Sequence, residues 1–276
     1  MKLKKQAPAL LIGRFAKSAL ALAVLAMSFT ACKDDDDNVK PDDGNGGGTE
    51  KVFIPSKDKS YTYKITDSDG TTGDMLTKIV STKDSAGMAV HTIHHLVREN
   101  EEEMTLVSKA YAKDGTTTNE LPYPTAMKAL VNEINDIAYI SDFKVTGFPQ
   151  YQFLENNGKV NSALTFKGDP IKVLMELEIP VGDEGSVLGK LEARLTYKNG
   201  KAVAEESVTT PAGNFNCTKW EYSYEVYTKF ETEVTQPEIT TELVNVTLWT
   251  APGVGVVKSV EKSEENTSTT ELRKVE

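Results

Sequence analysis

Ile171-Lys-Val-Leu-Met-Glu-Leu-Glu-Ile179 decides the fold class of this chain. Ile171, Val173, Met175, Leu177 and Ile179 occupy every second position, so a strand places all five on one face. The next stretch repeats the pattern with Leu191, Ala193, Leu195 and Tyr197, and ends at Asn199-Gly200. Both residues of that pair tolerate positive φ, which predicts a type I′ hairpin turn there.

Working outward, Tyr61, Tyr63 and Ile65 alternate with polar neighbours, and Asp67-Ser68-Asp69-Gly70 reads as a turn leading to a strand over Met75–Thr82. Met88–Val97 and Met104–Ala112 read as strands, the second closing on the turn Lys113-Asp114-Gly115. Further strands are expected over Lys201–Thr209, Phe215–Tyr227, Glu242–Trp249, Val254–Ser263 and Thr269–Val275. One segment departs from period two. In Thr125–Ser141, Met127, Leu130, Val131, Ile134, Ile137 and Ala138 form a 3.6-period stripe, with Thr125 as cap after Pro122 and Pro124. The expectation is a mainly β (α+β) domain, a curved antiparallel sheet or half-barrel with one covering amphipathic helix.

The N-terminal region obeys different rules. Residues 1–31 hold five cations, Lys2, Lys4, Lys5, Arg14 and Lys17, then an apolar run over Ser18–Phe29 and the ending Phe29-Thr30-Ala31-Cys32. The run is too short to span a bilayer and suits a signal peptide. The small residues before Cys32 predict lipoprotein processing, with the Cys32 thiol as acceptor for acyl chains such as palmitate. Residues 33–50 are acidic and glycine-rich and have nothing to bury, so 32–50 reads as a lipidated, disordered tether, roughly 25 Å in root-mean-square span. Residues 51–276 then form a single β-rich domain. Lys33-Asp34-Asp35-Asp36-Asp37 resembles the surface-export signal of Bacteroidetes lipoproteins, which implies an outer-membrane protein facing the medium. The alternative is a plain spacer in a periplasmic lipoprotein.

The chain carries 41 acidic against 31 basic side chains, and five of the basic ones leave with the leader. Such a surface argues against nucleic acid or anionic lipid as partner, so membrane attachment falls to the acyl chains. Cys217 is the second of two cysteines; with Cys32 tethered, the fold rests on burial rather than on a disulfide.

Candidate chemistry is sparse. His91, His94 and His95 are the three histidines. On a strand His91 and His95 share a face about 13 Å apart, too far to close on one metal. Asp67-Ser-Asp-Gly-Thr-Thr-Gly-Asp74 offers calcium-type oxygens but lacks the closing glutamate of an EF-hand loop, and reads better as a turn. Cys217 has no local base and reads as a small buried hydrophobe. No nucleophile elbow, phosphate loop or dinucleotide fingerprint is present, so no catalytic residue, metal or cofactor is expected. Trp220, Tyr222 and Tyr224 form an aromatic stripe, with Trp249 at the end of a later strand. This face could stack on sugars, line an apolar hollow, or pack beneath the helix. Asp84-Ser85-Ala86 resembles a Bacteroidetes O-glycosylation acceptor.

Thr210-Pro-Ala-Gly-Asn-Phe-Asn-Cys217 and Trp249-Thr-Ala-Pro-Gly-Val-Gly-Val-Val-Lys258 together resemble two motifs of the TapB-like family of uncharacterised bacterial proteins, with Asn214 replacing the usual Thr. The resemblance is strongest over 185–276 and loose over 51–184. It implies a curved antiparallel sheet like that of the LolA and LppX carriers, and no established activity. The expected function is a non-catalytic binding or assembly module for an apolar or glycan ligand, protein partners being undetermined. The alternatives are an adhesin-like structural subunit and a carboxylate-based hydrolase.

Overall fold

The computed structural model describes residues 51–99, 102–121, 138–180, 185–264 and 266–276. Its first five strands are β1 (Ser60–Asp67), β2 (Thr72–Ser85), β3 (Met88–Glu99), β4 (Glu102–Lys113) and β5 (Thr116–Leu121). Next come β6 (Tyr139–Thr146), β7 (Gln150–Glu155), β8 (Ala163–Lys167), β9 (Ile171–Pro180) and β10 (Ser186–Thr210). The chain ends with β11 (Gly213–Thr232), β12 (Thr235–Ala251), β13 (Gly255–Lys262) and β14 (Thr267–Val275).

All strand pairs are antiparallel and run in the order β11-β12-β13-β14-β1-β2-β3-β4-β5-β7-β8-β10, and β10 pairs back onto β11. The result is a closed 12-strand barrel, with β9 and then β6 added to the free flank of β10 as a flap. Closure leaves the ring without an unpaired edge. The expected half-barrel is therefore wrong: β5, β7 and β8 complete the wall. The covering helix is also corrected. No helix occurs among the described residues, and Tyr139–Ser141, its expected last turn, belong to β6. The rest of that expectation, residues 125–137, lies outside the described residues.

β9 behaves as its sequence dictates, burying Ile171, Val173, Met175 and Leu177 and exposing the residues between. Asn199-Gly200 does not make a hairpin. β10 continues straight through it, flanked by β9 before the pair and by β8 after it. A register shift between Lys198 and Lys201 marks a bulge, which bends the strand where its neighbours change. Asn199 Oδ1 accepts from the Phe166 amide at 2.9 Å. Gly200 is needed because a Cβ there would lie 2.0 Å from Glu221 O.

Residues 51–59 cross one end of the barrel as an irregular strap. Lys51 N donates to Asn156 O at 2.9 Å and Phe53 N to Thr117 Oγ1 at 3.1 Å, on the β5–β7 side. On the β12–β13 side, Gly253 N donates to Val52 O at 3.1 Å and Ser56 N to Gly253 O at 2.9 Å. Phe53 and Ile54 are buried in separate clusters, Phe53 with Trp220, Tyr222, Tyr224 and Leu248, and Ile54 with Ile79, Ile93 and Ala110. Among the described residues, it is the strap that covers this end.

Candidate functional site

Trp220, Tyr222 and Tyr224 face into the barrel from β11, as their period-two spacing requires. Trp220 is 0% exposed, donates from Nε1 to Thr250 Oγ1 at 2.8 Å, and meets Phe53 edge to face at 5.7 Å. Tyr224 donates to Glu261 Oε2 at 2.7 Å. Tyr222 lies against Phe166, which stacks on Tyr197 with ring centroids 4.6 Å apart. Burial raises the Tyr222 and Tyr224 hydroxyl pKa values well above the ordinary range. These rings are the core of the barrel wall.

Trp249 is not part of that face. Register pairs it with Lys219 and pairs Trp220 with Leu248, so Trp249 points outward. There it donates to Glu206 Oε1 at 2.6 Å and carries Lys219 Nζ 5.3 Å from its ring centroid. The expected four-residue face divides into three interior rings and one on the outer surface.

Below the strap, a cavity of about 80 Å³ remains in the barrel. Phe53, Tyr63, Leu154, Tyr222 and Leu248 give it apolar walls, and Thr77, His95, Ser108, Asn119 and Gln152 a polar side. His95 is 3% exposed. Its Nδ1 lies 2.8 Å from Thr77 Oγ1 on β2 and its Nε2 2.7 Å from Ser108 Oγ on β4. Strand geometry separates it from the other histidines: His91 pairs with Thr82 at 2.9 Å, and His94 takes the opposite face. A serine–imidazole contact is the pairing used by serine hydrolases, but such an imidazole must become charged and is steadied by a carboxylate behind it. Here burial drives the His95 pKa well below 6.5, His94 adding to it, and the group behind is a neutral hydroxyl. The arrangement suits a neutral structural histidine.

A pH dependence follows. Below about pH 6.5 the unfolded chain takes up a proton on this histidine that the folded chain refuses, so stability is lost as pH falls through that value. His95→Gln should lose less stability between pH 7 and pH 5 than the wild type, measured as urea midpoints. An identical loss in both proteins would contradict this account.

Cys217 is buried, and burial, with Glu206 adding to it, pushes its thiol up to about 12. A thiol so hard to ionise is a poor nucleophile. Glu261 escaped the sequence reading. Burial pushes it up to about 8, and the Asp67 charge adds to this. Its only sequence signal is parity: Ser259 and Glu261 occupy positions in Gly255–Lys262 where alternation puts side chains inside. Among the described residues no three His, Cys, Asp or Glu side chains converge as a metal cluster. Cys32 and Lys33, Asp34, Asp35, Asp36 and Asp37 lie outside the described residues.

The DUF3108-like family model matches residues 182–272, the run that carries both motifs quoted above. No curated protein matches the sequence. Among solved structures, the chain is similar to an inferred exported protein with YmcC-like fold from Bacteroides fragilis NCTC 9343. That likeness has a TM-score of 0.45 at 14% identity, over 83% of this chain and 100% of the other. It is also similar to an inferred lipoprotein from Parabacteroides distasonis ATCC 8503, with a TM-score of 0.52 at 16% identity over 83% of this chain and 100% of the other. With that protein it shares a fold.

Proposed function

We propose that this chain is an envelope lipoprotein, cleaved before Cys32, acylated there and displayed on the outer membrane through Lys33–Asp37. Its barrel serves as a non-catalytic binding or assembly module that works through its outer surfaces. The observation that carries the second part is the small size of the cavity under the strap. Pockets that enclose small ligands run from roughly 300 Å³ upward, whereas the cavity walled by Phe53, Tyr63, Tyr222 and Leu248 holds about 80 Å³. That cavity has no room for an acyl chain or a sugar ring, so we place an apolar or glycan ligand on the outside. The motifs at Thr210–Cys217 and Trp249–Lys258 support a place in the TapB-like family.

Two measurements test this reading. Wild-type cells fed an alkyne-tagged palmitate should label the protein, Cys32→Ala should abolish both labelling and sedimentation with the envelope, and intact cells should expose the domain to added protease. The purified protein should show no shift in Tm with a panel of single-chain fatty acids, none of which fits the cavity. An unlabelled wild type would remove the anchor. A shift of several degrees with a fatty acid would remove the small-cavity argument.

A further inference from the structure

The barrel end opposite the strap holds a second polar group, separate from the cavity. Asp67 ends β1, Ser268 lies at the start of β14, and Glu261 lies at the end of β13. Register sets Ser268 opposite Asp67 on one side and opposite Glu261 on the other. Opposed residues of neighbouring antiparallel strands have Cβ atoms roughly 5 Å apart on a common face. The three therefore form one row, carboxyl, hydroxyl, carboxyl, across the inner wall.

Ser268 is 3% exposed and Glu261 4%, while Asp67 is half-buried at the rim. Asp67 Oδ1, Ser268 Oγ and Glu261 Oε1 each have no hydrogen-bond partner. Ser259 Oγ, two residues along β13 from Glu261, and the Tyr197 hydroxyl on the aromatic wall are in the same condition. Tyr224 holds Glu261 Oε2 and leaves Oε1 over. Burial raises the Asp67 carboxyl, hydrogen bonding from Ser268 lowers it, and Asp69 raises it further, while Oδ1 itself stays without a partner. Buried polar atoms are rarely left unpaired, and several together in one place mark missing water or a missing ion.

We propose that the Asp67–Ser268–Glu261 row is a binding site for a hard divalent cation, Ca²⁺ in preference to Mg²⁺, reached from the end of the barrel opposite the strap. Donors that are all oxygen select a hard cation over softer metals. The Asp67 carboxylate brings negative charge, and Glu261 gives up its proton to a bound ion, so that both carboxylates then face it. The Ser268 hydroxyl, buried between them, gives a third oxygen. Rigid strands do not supply the regular octahedron that Mg²⁺ demands, whereas Ca²⁺ accepts irregular shells completed by water. Two carboxylates and neutral hydroxyls place the affinity in the range of extracellular calcium modules, ~0.1–1 mM. Asp67 comes from the turn whose sequence looked calcium-like, but Asp74, the other end of that stretch, is exposed on β2 and takes no part.

The test is thermal unfolding of the full chain, stripped with chelator, in about 5 mM CaCl₂ or MgCl₂ at matched ionic strength. Ca²⁺ should raise Tm by about 2–9 °C across that affinity range, with calorimetry giving one ion per chain. Glu261→Gln keeps the side-chain shape and should abolish the shift. Asp67→Asn, at the rim where folding tolerates change, should do the same should Glu261→Gln fail to fold. Asp74→Asn should retain it. A Ca²⁺ shift no larger than that of Mg²⁺, or one surviving in Glu261→Gln or Asp67→Asn, would overturn the site.

Discussion

Gly200→Ala should lower stability by about 4 kcal/mol or more, the range reached only when a native backbone arrangement becomes impossible. The added methyl would sit 2.0 Å from Glu221 O and 2.5 Å from Tyr222 Cβ. Neither is the free end of a flexible side chain, so β10 and β11 must move apart. Those two strands close the barrel, and the damage falls on closure itself. Asn199→Ala next door loses one acceptor for the Phe166 amide and should cost about 1 kcal/mol. Urea unfolding followed by circular dichroism separates the two. A Gly200→Ala protein within about 1 kcal/mol of wild type would mean that the close approach does not exist.

Trp220→Ala ranks second, at about 3–5 kcal/mol for deleting a fully buried indole. Three effects coincide there. The methyl leaves a void between β11 and the strap, Thr250 loses its donor, and Phe53 loses the ring it meets edge to face. Against a typical total of ~5–15 kcal/mol, the variant should be partly unfolded on mild warming. Trp249→Phe keeps an aromatic body on the outer surface, loses the bond to Glu206, and should cost about 1 kcal/mol or less. Equal losses in the two variants would show that the inside and outside assignments of the rings are mistaken.

The contrast between those tryptophans shows what a single sequence makes legible. Alternation identified the strands around Ile171–Ile179 and Phe215–Tyr227 because their inward residues are apolar and their outward ones polar. It missed β5 and β7, whose buried residues include Thr117 under the strap, Gln152 at the cavity, and Gln150, which holds the carbonyls of Gly147 and Asp169. A wall with polar residues on its inner side carries no apolar rhythm, and without that wall the sheet looks open. The Thr125–Ser141 stripe fitted a 3.6 period, yet Tyr139 and Ile140 pair with β9 and Ser141 lies at a bulge in the same ladder, and a distant partner is invisible to local spacing. Asn199-Gly200 has the composition of a hairpin turn, but the same freedom from side-chain bulk also serves a bend where two backbones nearly touch. As for the site, parity placed Trp220, Tyr222 and Tyr224 together. Only register could move Trp249 to the other face, set Thr77 and Ser108 around His95, or align Asp67 with Glu261.

Tension arriving along the chain from its N-terminal side reaches residues 51–59 before it reaches any strand. The amides there are fastened at separate points to opposite sides of the barrel, so a pull detaches them one at a time, as a zip opens, instead of shearing them together. β1, which follows, is hydrogen-bonded along both flanks to β14 and β2 and resists far longer. The segment is in that sense a mechanical fuse: it yields first, uncovers the rings beneath it, and spares the barrel.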